Sequence, residues 1–242
     1  MTGSYYGGKG AAGVYQILIN QVTPHDTLVI PFAGHCTLAR KIHPPARLIV
    51  NDIDNDVYDW WHKHSKGDAV EIKQGCGISL IKSIKWGIES GFHKERIFVY
   101  VDPPYVESAC GSAQKYKHRM SDFEHVQLIE ALKVLSIEPQ VAIMLSGYPS
   151  PLYAKHLKAW RSKSFMSQTR RGRRKEMLWM SYPQPKELHD YRFIGKDKVE
   201  RFKLQRRRNN MLAKLQRLTS IERNALIVAM VTKFGVPAGE VG

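Results

Sequence analysis

Short apolar runs alternate with longer amphipathic segments through the first 160 residues. Five runs, at 27–30, 47–53, 69–74, 97–101 and 140–146, are rich in β-branched and aliphatic residues and are short enough for strands. Between and around them lie segments with helical spacing at 11–22, 37–42, 54 through Trp61, 78–89, Ser121 through Leu135, and 149–160. Ser121-Asp-Phe-Glu124 is a capping box and marks a helix start. Strand alternating with helix implies a parallel sheet covered on both faces. Ile97 to Val101 has no polar interruption, which marks a central strand buried on both sides.

The alternation breaks after residue 160. Runs at 163–169 and 175–182 flank Arg170-Arg-Gly-Arg-Arg174, which reads as a hairpin with four arginines in a five-residue tip. Pro183 and Pro185 then precede a helical span at 198–218, interrupted by Arg206-Arg-Arg-Asn-Asn210, so that it forms either two helices or one with an exposed basic middle. A last helix runs to residue 234, and Leu226, Ile227, Met230 and Val231 are expected to pack on the helix before it. The expected fold is α/β and Rossmann-like, with a mostly parallel sheet, helices on both faces and a basic helical C-terminal extension. The boundary is placed between a sheet-forming unit at 1–184 and an extension at 185–242.

Charge sharpens this picture. The net charge of +15 is confined to one segment: residues 1–150 hold 15 Lys/Arg against 15 Asp/Glu, 151–217 hold 20 against 5, and 218–242 hold 2 against 2. Basic residues concentrated among aromatic and aliphatic ones suit a duplex-binding surface. Cys36, Cys76 and Cys110 have neither disulfide-framework nor zinc spacing. His62 and His64 lack further ligand residues nearby, so no metal is expected. The absence of a leader pattern or a long apolar run leads to the expectation of a soluble, cytoplasmic protein.

Candidate chemistry gathers at strand ends. Asp102-Pro103-Pro104-Tyr105 follows the central strand, and its two prolines end pairing where open α/β sheets bind ligands. A carboxylate, the carbonyl of Pro103 and the Tyr105 ring can grip a flat heterocycle by its exocyclic amino group. Asp52, at the end of the second strand, is placed to accept from ribose hydroxyls, and Asp54 to cap the next helix. Gly3 to Lys9 nearly matches a phosphate-binding loop, but Gly10 follows and no strand precedes, so that reading is set aside.

Taken together these segments resemble the bacterial and phage DNA adenine methyltransferases of the alpha arrangement. Tyr5-Tyr-Gly-Gly-Lys9 looks like motif X, Pro31-Phe-Ala-Gly34 like motif I, Asn51-Asp-Ile-Asp54 like motif II and Asp102-Pro-Pro-Tyr105 like motif IV. The resemblance implies transfer of a methyl group from S-adenosylmethionine to adenine N6 in duplex DNA. It implies cofactor contacts at Tyr5, Gly8 and Lys9, at Pro31, Phe32 and Gly34, and at Asp52, Ile53 and Asp102. Catalytic roles fall to Asp102, Pro103, Pro104 and Tyr105. It also implies an antiparallel seventh strand, which the hairpin supplies, and hence a mixed, mostly parallel seven-stranded sheet.

Three departures stand out. His35 and Cys36 occupy motif I positions where small residues are common, and Cys76 stands where an acid is frequent. Only 26 residues lie between Gly75 and Asp102, too few for the recognition domain that GATC-specific members insert. DNA contacts are therefore assigned to Tyr116, Lys117 and Arg119, to Arg170, Arg171, Arg173 and Arg174, and to Arg206, Arg207 and Arg208. The alternatives are an RNA adenine or cytosine-N4 methyltransferase, and a non-catalytic DNA-binding protein with a degenerate cofactor site.

Overall fold

The computed structural model describes residues 13–65, 67–106, 117–169 and 172–236. Seven strands form one sheet: β1 (Thr27–Ile30), β2 (Arg47–Asp52), β3 (Val70–Gln74), β4 (Ile97–Val101), β5 (Val141–Gly147), β6 (Arg161–Thr169) and β7 (Gly172–Met180). Their order is β3-β2-β1-β4-β5-β7-β6. The first five pair in parallel, and β7 runs antiparallel to both β5 and β6. This is a Rossmann-like α/β sheet, mixed and mostly parallel, as the alternation of runs implied. Every residue of β1 and β4 is buried, which is why these strands carry no polar alternation.

Helices cover both faces. Helices α1 (Val14–Ile19), α2 (Thr37–Lys41) and α3 (Asn55–His64) pack one side, where Leu18, Ile19, Val57 and Trp61 meet Phe98 and Tyr100 of β4. Helices α4 (Gly77–Glu89), α5 (Asp122–Leu135) and α6 (Pro151–His156) pack the other, where Ile81, Ile84, Leu128 and Leu132 meet Val99 and Val101. The period of two along β4 thus sends alternate side chains into two separate cores. The capping box at Ser121 and Glu124 forms as the sequence indicated.

Several boundaries differ from the sequence reading. Helix α6 ends at His156, not near Trp160, because Arg161 already pairs with Met180. Helix α1 is likewise shorter than the 11–22 segment. The hairpin connection is two residues rather than five, since Thr169 pairs with Gly172. Arg173 and Arg174 therefore belong to β7, opposite Gln168 and Ser167. Neighbours along a strand face opposite sides of a sheet, so these two arginines do not form one basic tip.

Beyond residue 184 the chain first runs back over the early helices. His189 N–H donates to Val22 O at 3.0 Å, Asn20 Nδ2 donates to Phe193 O at 2.7 Å, and Arg192 reaches Lys41 O at 2.9 Å. Buried Asp190 accepts from His43 N–H at 3.0 Å. Helix α7 (Lys198–Gln216) then passes unbroken through Arg206-Arg207-Arg208, which settles the choice between two helices and one in favour of one. Arginine is a good helix former and no Gly or Pro intervenes. Helix α8 (Ser220–Phe234) follows. Its apolar residues do not bury against α7: Leu226, Ile227, Met230 and Val231 remain 43–52% exposed. The reason lies in α7, whose polar residues surround the helix and leave no apolar stripe to receive them. Among the described residues no helix is long and apolar enough to cross a membrane.

Candidate active site

The carboxyl ends of β1, β2 and β4 open on a cleft of about 190 Å³. Its floor is tied together by Asn51, whose Nδ2 donates to Pro31 O and to Gly75 O, both at 2.9 Å. One buried carboxamide thus joins the tips of three adjacent strands. After β1 the chain turns through Gly34, whose φ of 41° is left-handed and suits glycine. Gly34 N–H donates to Asp52 Oδ2 at 2.8 Å, Asp54 N–H donates to Asp52 Oδ1 at 3.0 Å, and Trp61 Nε1 donates to Gly34 O at 2.8 Å. Each oxygen of Asp52 has thereby one backbone donor and keeps acceptor capacity toward the cleft. Ile53 beside it is 54% exposed and gives the cleft an apolar wall.

The unusual residues of this turn have places of their own. His35 stacks on Trp60 with centroids 4.1 Å apart, and Trp60 stacks on His64 at 4.4 Å. Burial, with Arg40 and His64 nearby, lowers the His35 pKa and disfavours its charged form. His64 is thus part of an aromatic stack, its Nδ1 2.8 Å from Trp60 O. Burial, reinforced by the charge of Asp102, pushes the Cys36 thiol up to about 12. Cys76 sits at the N-terminus of α4. Its partial burial opposes ionisation, but the Ser79 and Ile78 N–H groups and the Ser79 hydroxyl outweigh this and lower its pKa. Gly77 next to it is required by packing, because a Cβ there would lie 2.7 Å from Pro31 O and from Phe32 Cζ.

Asp102 leaves β4 on the side of the sheet occupied by Tyr100. Ser146 Oγ, fully buried on β5, lies 2.8 Å from Asp102 Oδ1 and 2.9 Å from the Tyr100 hydroxyl. A carboxylate only accepts, so Ser146 donates to Asp102 and Tyr100 donates to Ser146. This relay fixes the Asp102 carboxylate from below. Pro103, Pro104 and Tyr105 line the same cleft as Asp52 and Gly34. Tyr105 stacks on Tyr148, centroids 4.0 Å apart, and the Arg174 guanidinium lies 5.3 Å from the Tyr148 centroid. The hairpin therefore reaches the acidic corner through two tyrosines.

Lys117 and Arg119 line the cleft instead of facing outward alone. Lys117 Nζ bridges Asp54 Oδ1 at 3.0 Å and Asp56 Oδ2 at 3.1 Å, with its side chain 59% exposed. Burial would raise the Asp54 pKa, but the Lys117 hydrogen bond, the Asp56 N–H and the Lys117 charge hold it low. Asp54 also caps α3, and its Oδ1 takes both the Asp56 N–H and Lys117. Arg206, Arg207 and Arg208 are exposed on α7 and do not line the cleft. Tyr5, Gly8, Lys9, Tyr116, Arg170 and Arg171 lie outside the described residues.

Ser146 and Tyr148 were not singled out in the sequence, and Asn51 entered only as the first residue of the motif II segment, without a role. For Ser146 a signal exists, a lone hydroxyl closing the apolar run Val141–Leu145. No local pattern distinguishes Tyr148, because its role comes from a contact with a residue 43 positions earlier.

No protein-family model matches the sequence, and no curated protein matches it. Among solved structures the chain is similar to a SAM-dependent methyltransferase from Agrobacterium tumefaciens, with 8% identity, 69% of this chain and 60% of that one covered, and a TM-score of 0.46. It is similar to human methyltransferase-like protein 13 in complex with SAH, with 16% identity, 79% and 85% covered, and a TM-score of 0.43. It is also similar to precorrin 8w decarboxylase of Methanobacterium thermoautotrophicum, with 12% identity, 72% and 91% covered, and a TM-score of 0.45. Likeness of this degree says nothing about substrate or ligand. The strand pairing itself establishes the fold.

Proposed function

We propose that this chain transfers a methyl group from S-adenosylmethionine to the N6 amino group of an adenine turned out of duplex DNA. The observation that supports this most is one cleft with two differently held acids: Asp52 beside the Gly34 turn, and Asp102 braced by Ser146 beside Tyr105. The first suits an adenosyl group. Asp52 keeps acceptor capacity for ribose hydroxyls, Ile53 offers a wall to a flat ring, and Pro31, Phe32 and Gly34 bring backbone close. Tyr5, Gly8 and Lys9 complete the proposed donor contacts.

That donor, when bound, supplies an electrophilic methyl group. The chain's own part is to prepare the nitrogen, whose lone pair is delocalised into the purine ring. Asp102 accepts one N–H and the Pro103 carbonyl accepts the other, which draws the nitrogen toward tetrahedral geometry and aims its lone pair. Methyl transfer would break the donor's S–CH3 bond as the N–C bond forms, with the donor leaving as a neutral thioether. The nitrogen would shed one proton, for which the Asp102 carboxylate is the base already bonded to it. Turning the base out costs a few kcal/mol. Stacking on Tyr105 offsets about 1–3 kcal/mol of that.

Residues 1–184 act as the catalytic unit and 185–242 as a DNA-contacting extension in this proposal. Arg173, Arg174 and Arg206 to Arg208, with Arg170, Arg171, Tyr116, Lys117 and Arg119, are the proposed DNA contacts. Calorimetric titration with S-adenosylmethionine and nucleoside analysis of treated DNA test it together. Binding with N6-methyladenine as product is expected. N4-methylcytosine, or activity only on RNA, overturns the substrate, and absence of binding leaves a DNA-binding protein without chemistry.

A further inference from the structure

Helix α8 is apolar on all sides for two turns, because Ala225 to Val231 reads Ala-Leu-Ile-Val-Ala-Met-Val without interruption. A helix apolar all round is ordinarily buried. Here no residue of α8 is buried, and Leu226, Ile227, Val228, Met230 and Val231 are 43–64% exposed. Helix α7 has no buried residue either, so it does not cover that surface.

The apolar run is bracketed by one charge of each sign. Glu222, Leu226, Ala229 and Lys233 follow one another at steps of four, three and four residues. On a helix of about 3.6 residues per turn these four lie on one narrow stripe. Turned end for end about the midpoint between Ile227 and Val228, the stripe is its own complement. Glu222 then meets Lys233 and Leu226 meets Ala229, while on the flanks Ala225 meets Met230 and Ile221 meets Phe234. Large side chains oppose small ones in the centre, and opposite charges close both ends.

We propose that α8 joins two copies of this chain as an antiparallel pair through the Glu222–Lys233 stripe, about a twofold axis level with the midpoint between Ile227 and Val228. Glu222 of each copy pairs with Lys233 of the partner subunit, and each Leu226 seats on Ala229 of the partner subunit. Both charged groups have capacity for this. Among the described residues neither forms an ion pair; Glu222 uses Oε2 in the capping box with Thr219, and Lys233 lies over the Phe234 ring at 5.6 Å. A polyanion is the poorer occupant, since α8 carries only Arg223 and Lys233 against Glu222 while α7 holds the arginine cluster. A membrane surface is poorer too, because an interfacial helix needs a polar, basic face. A self-complementary patch is the hallmark of a twofold contact. A contact of one helix per copy falls at the small end of specific interfaces, where weak, concentration-dependent association is found.

Sedimentation velocity of the intact chain from about 1 to 100 µM tests this, with circular dichroism verifying that every variant keeps its helices. The mass should rise from 27.7 kDa to twice that value with concentration. E222K alone and K233E alone each set like charges opposite one another twice per dimer, and each should raise the dissociation constant about tenfold or more. An equimolar mixture of those two variants restores opposite charges at both ends and should recover the wild-type value. L226D should abolish the dimer. A wild type that stays monomeric throughout overturns the proposal. So do dimers indifferent to both single substitutions, or a mixture that fails to recover. None of these readouts depends on methyl transfer.

Discussion

Tyr148 lies flat against Tyr105, with ring centroids 4.0 Å apart and planes inclined by 22°. The pair joins the end of β5 to the segment that follows β4, and Arg174 over Tyr148 extends the connection to the hairpin. A stacked aromatic pair contributes about 0.5–1.5 kcal/mol beyond simple burial. If Tyr148 keeps Tyr105 in position for the target base, Tyr148→Ala should lower kcat/KM about two- to tenfold. Tyr148→Phe should match the wild type, since the stack needs the ring and not the hydroxyl. Steady-state kinetics on duplex DNA decides, and an alanine variant as fast as wild type removes Tyr148 from substrate positioning.

Asp102 is the group on which the chemistry is proposed to turn. Asp102→Asn exchanges one acceptor for a donor while preserving shape, and should cut methyl transfer by about 10²-fold or more with unchanged circular dichroism. Ser146→Ala removes the hydroxyl bonded to both Asp102 and Tyr100. A lost buried hydrogen bond of this kind costs about 1–3 kcal/mol in stability. A partial fall in rate should accompany it, with affinity for S-adenosylmethionine retained. Full activity in Asp102→Asn would exclude the carboxylate from the reaction.

Gly77→Ala probes the close approach of α4 to the first turn. The added methyl would stand 2.7 Å from Pro31 O and must displace the Phe32 ring. Overpacking of this sort costs about 1–3 kcal/mol. Thermal unfolding should show the loss, and calorimetry should show weaker cofactor binding because Phe32 and Pro31 line the cleft. Unaltered binding would mean that the turn tolerates the shift.

His25 makes stability depend on pH. Burial first, then the neighbouring His189, lowers its pKa from 6.5 to about 3. The folded chain therefore holds His25 neutral in a window where the unfolded chain protonates it. Its contribution is present above pH 6.5 and is lost as pH falls toward 3, at up to about 1.4 kcal/mol per pH unit. Urea unfolding at several pH values should show this fall, with His25→Phe shallower by up to one proton. Equal slopes for the two proteins would contradict the assignment.

Arg173 offers a test of the nucleic-acid surface. It is exposed on β7 and shows no ion pair among the described residues. Arg173→Glu should weaken duplex binding and reduce the slope of log affinity against log salt by about 0.9 for each phosphate that is no longer neutralised. An unchanged slope places the hairpin outside the interface.

The central sheet was legible because buried parallel strands leave uninterrupted apolar runs, as in Ile97–Val101. The Asp102 corner was legible because two prolines must end such a strand. What could not be read depended on pairing between distant segments. The hairpin register moved Arg173 and Arg174 out of a loop because strand pairing extends as far as backbone partners allow, whatever charge the side chains carry. The position of Lys117 on Asp54 and Asp56 arises where two segments 61 to 63 residues apart meet. The final helix was expected to find its cover within the chain, and the polar surroundings of α7 deny it that.

Asn51 gives the region a property that no single strand possesses. With one carboxamide held by two carbonyls from flanking strand tips, a shift of any one tip strains the other two. Rigidity of this origin means that an incoming molecule meets walls already at their final spacing. The entropy of ordering them was spent when the polypeptide folded, not at each encounter.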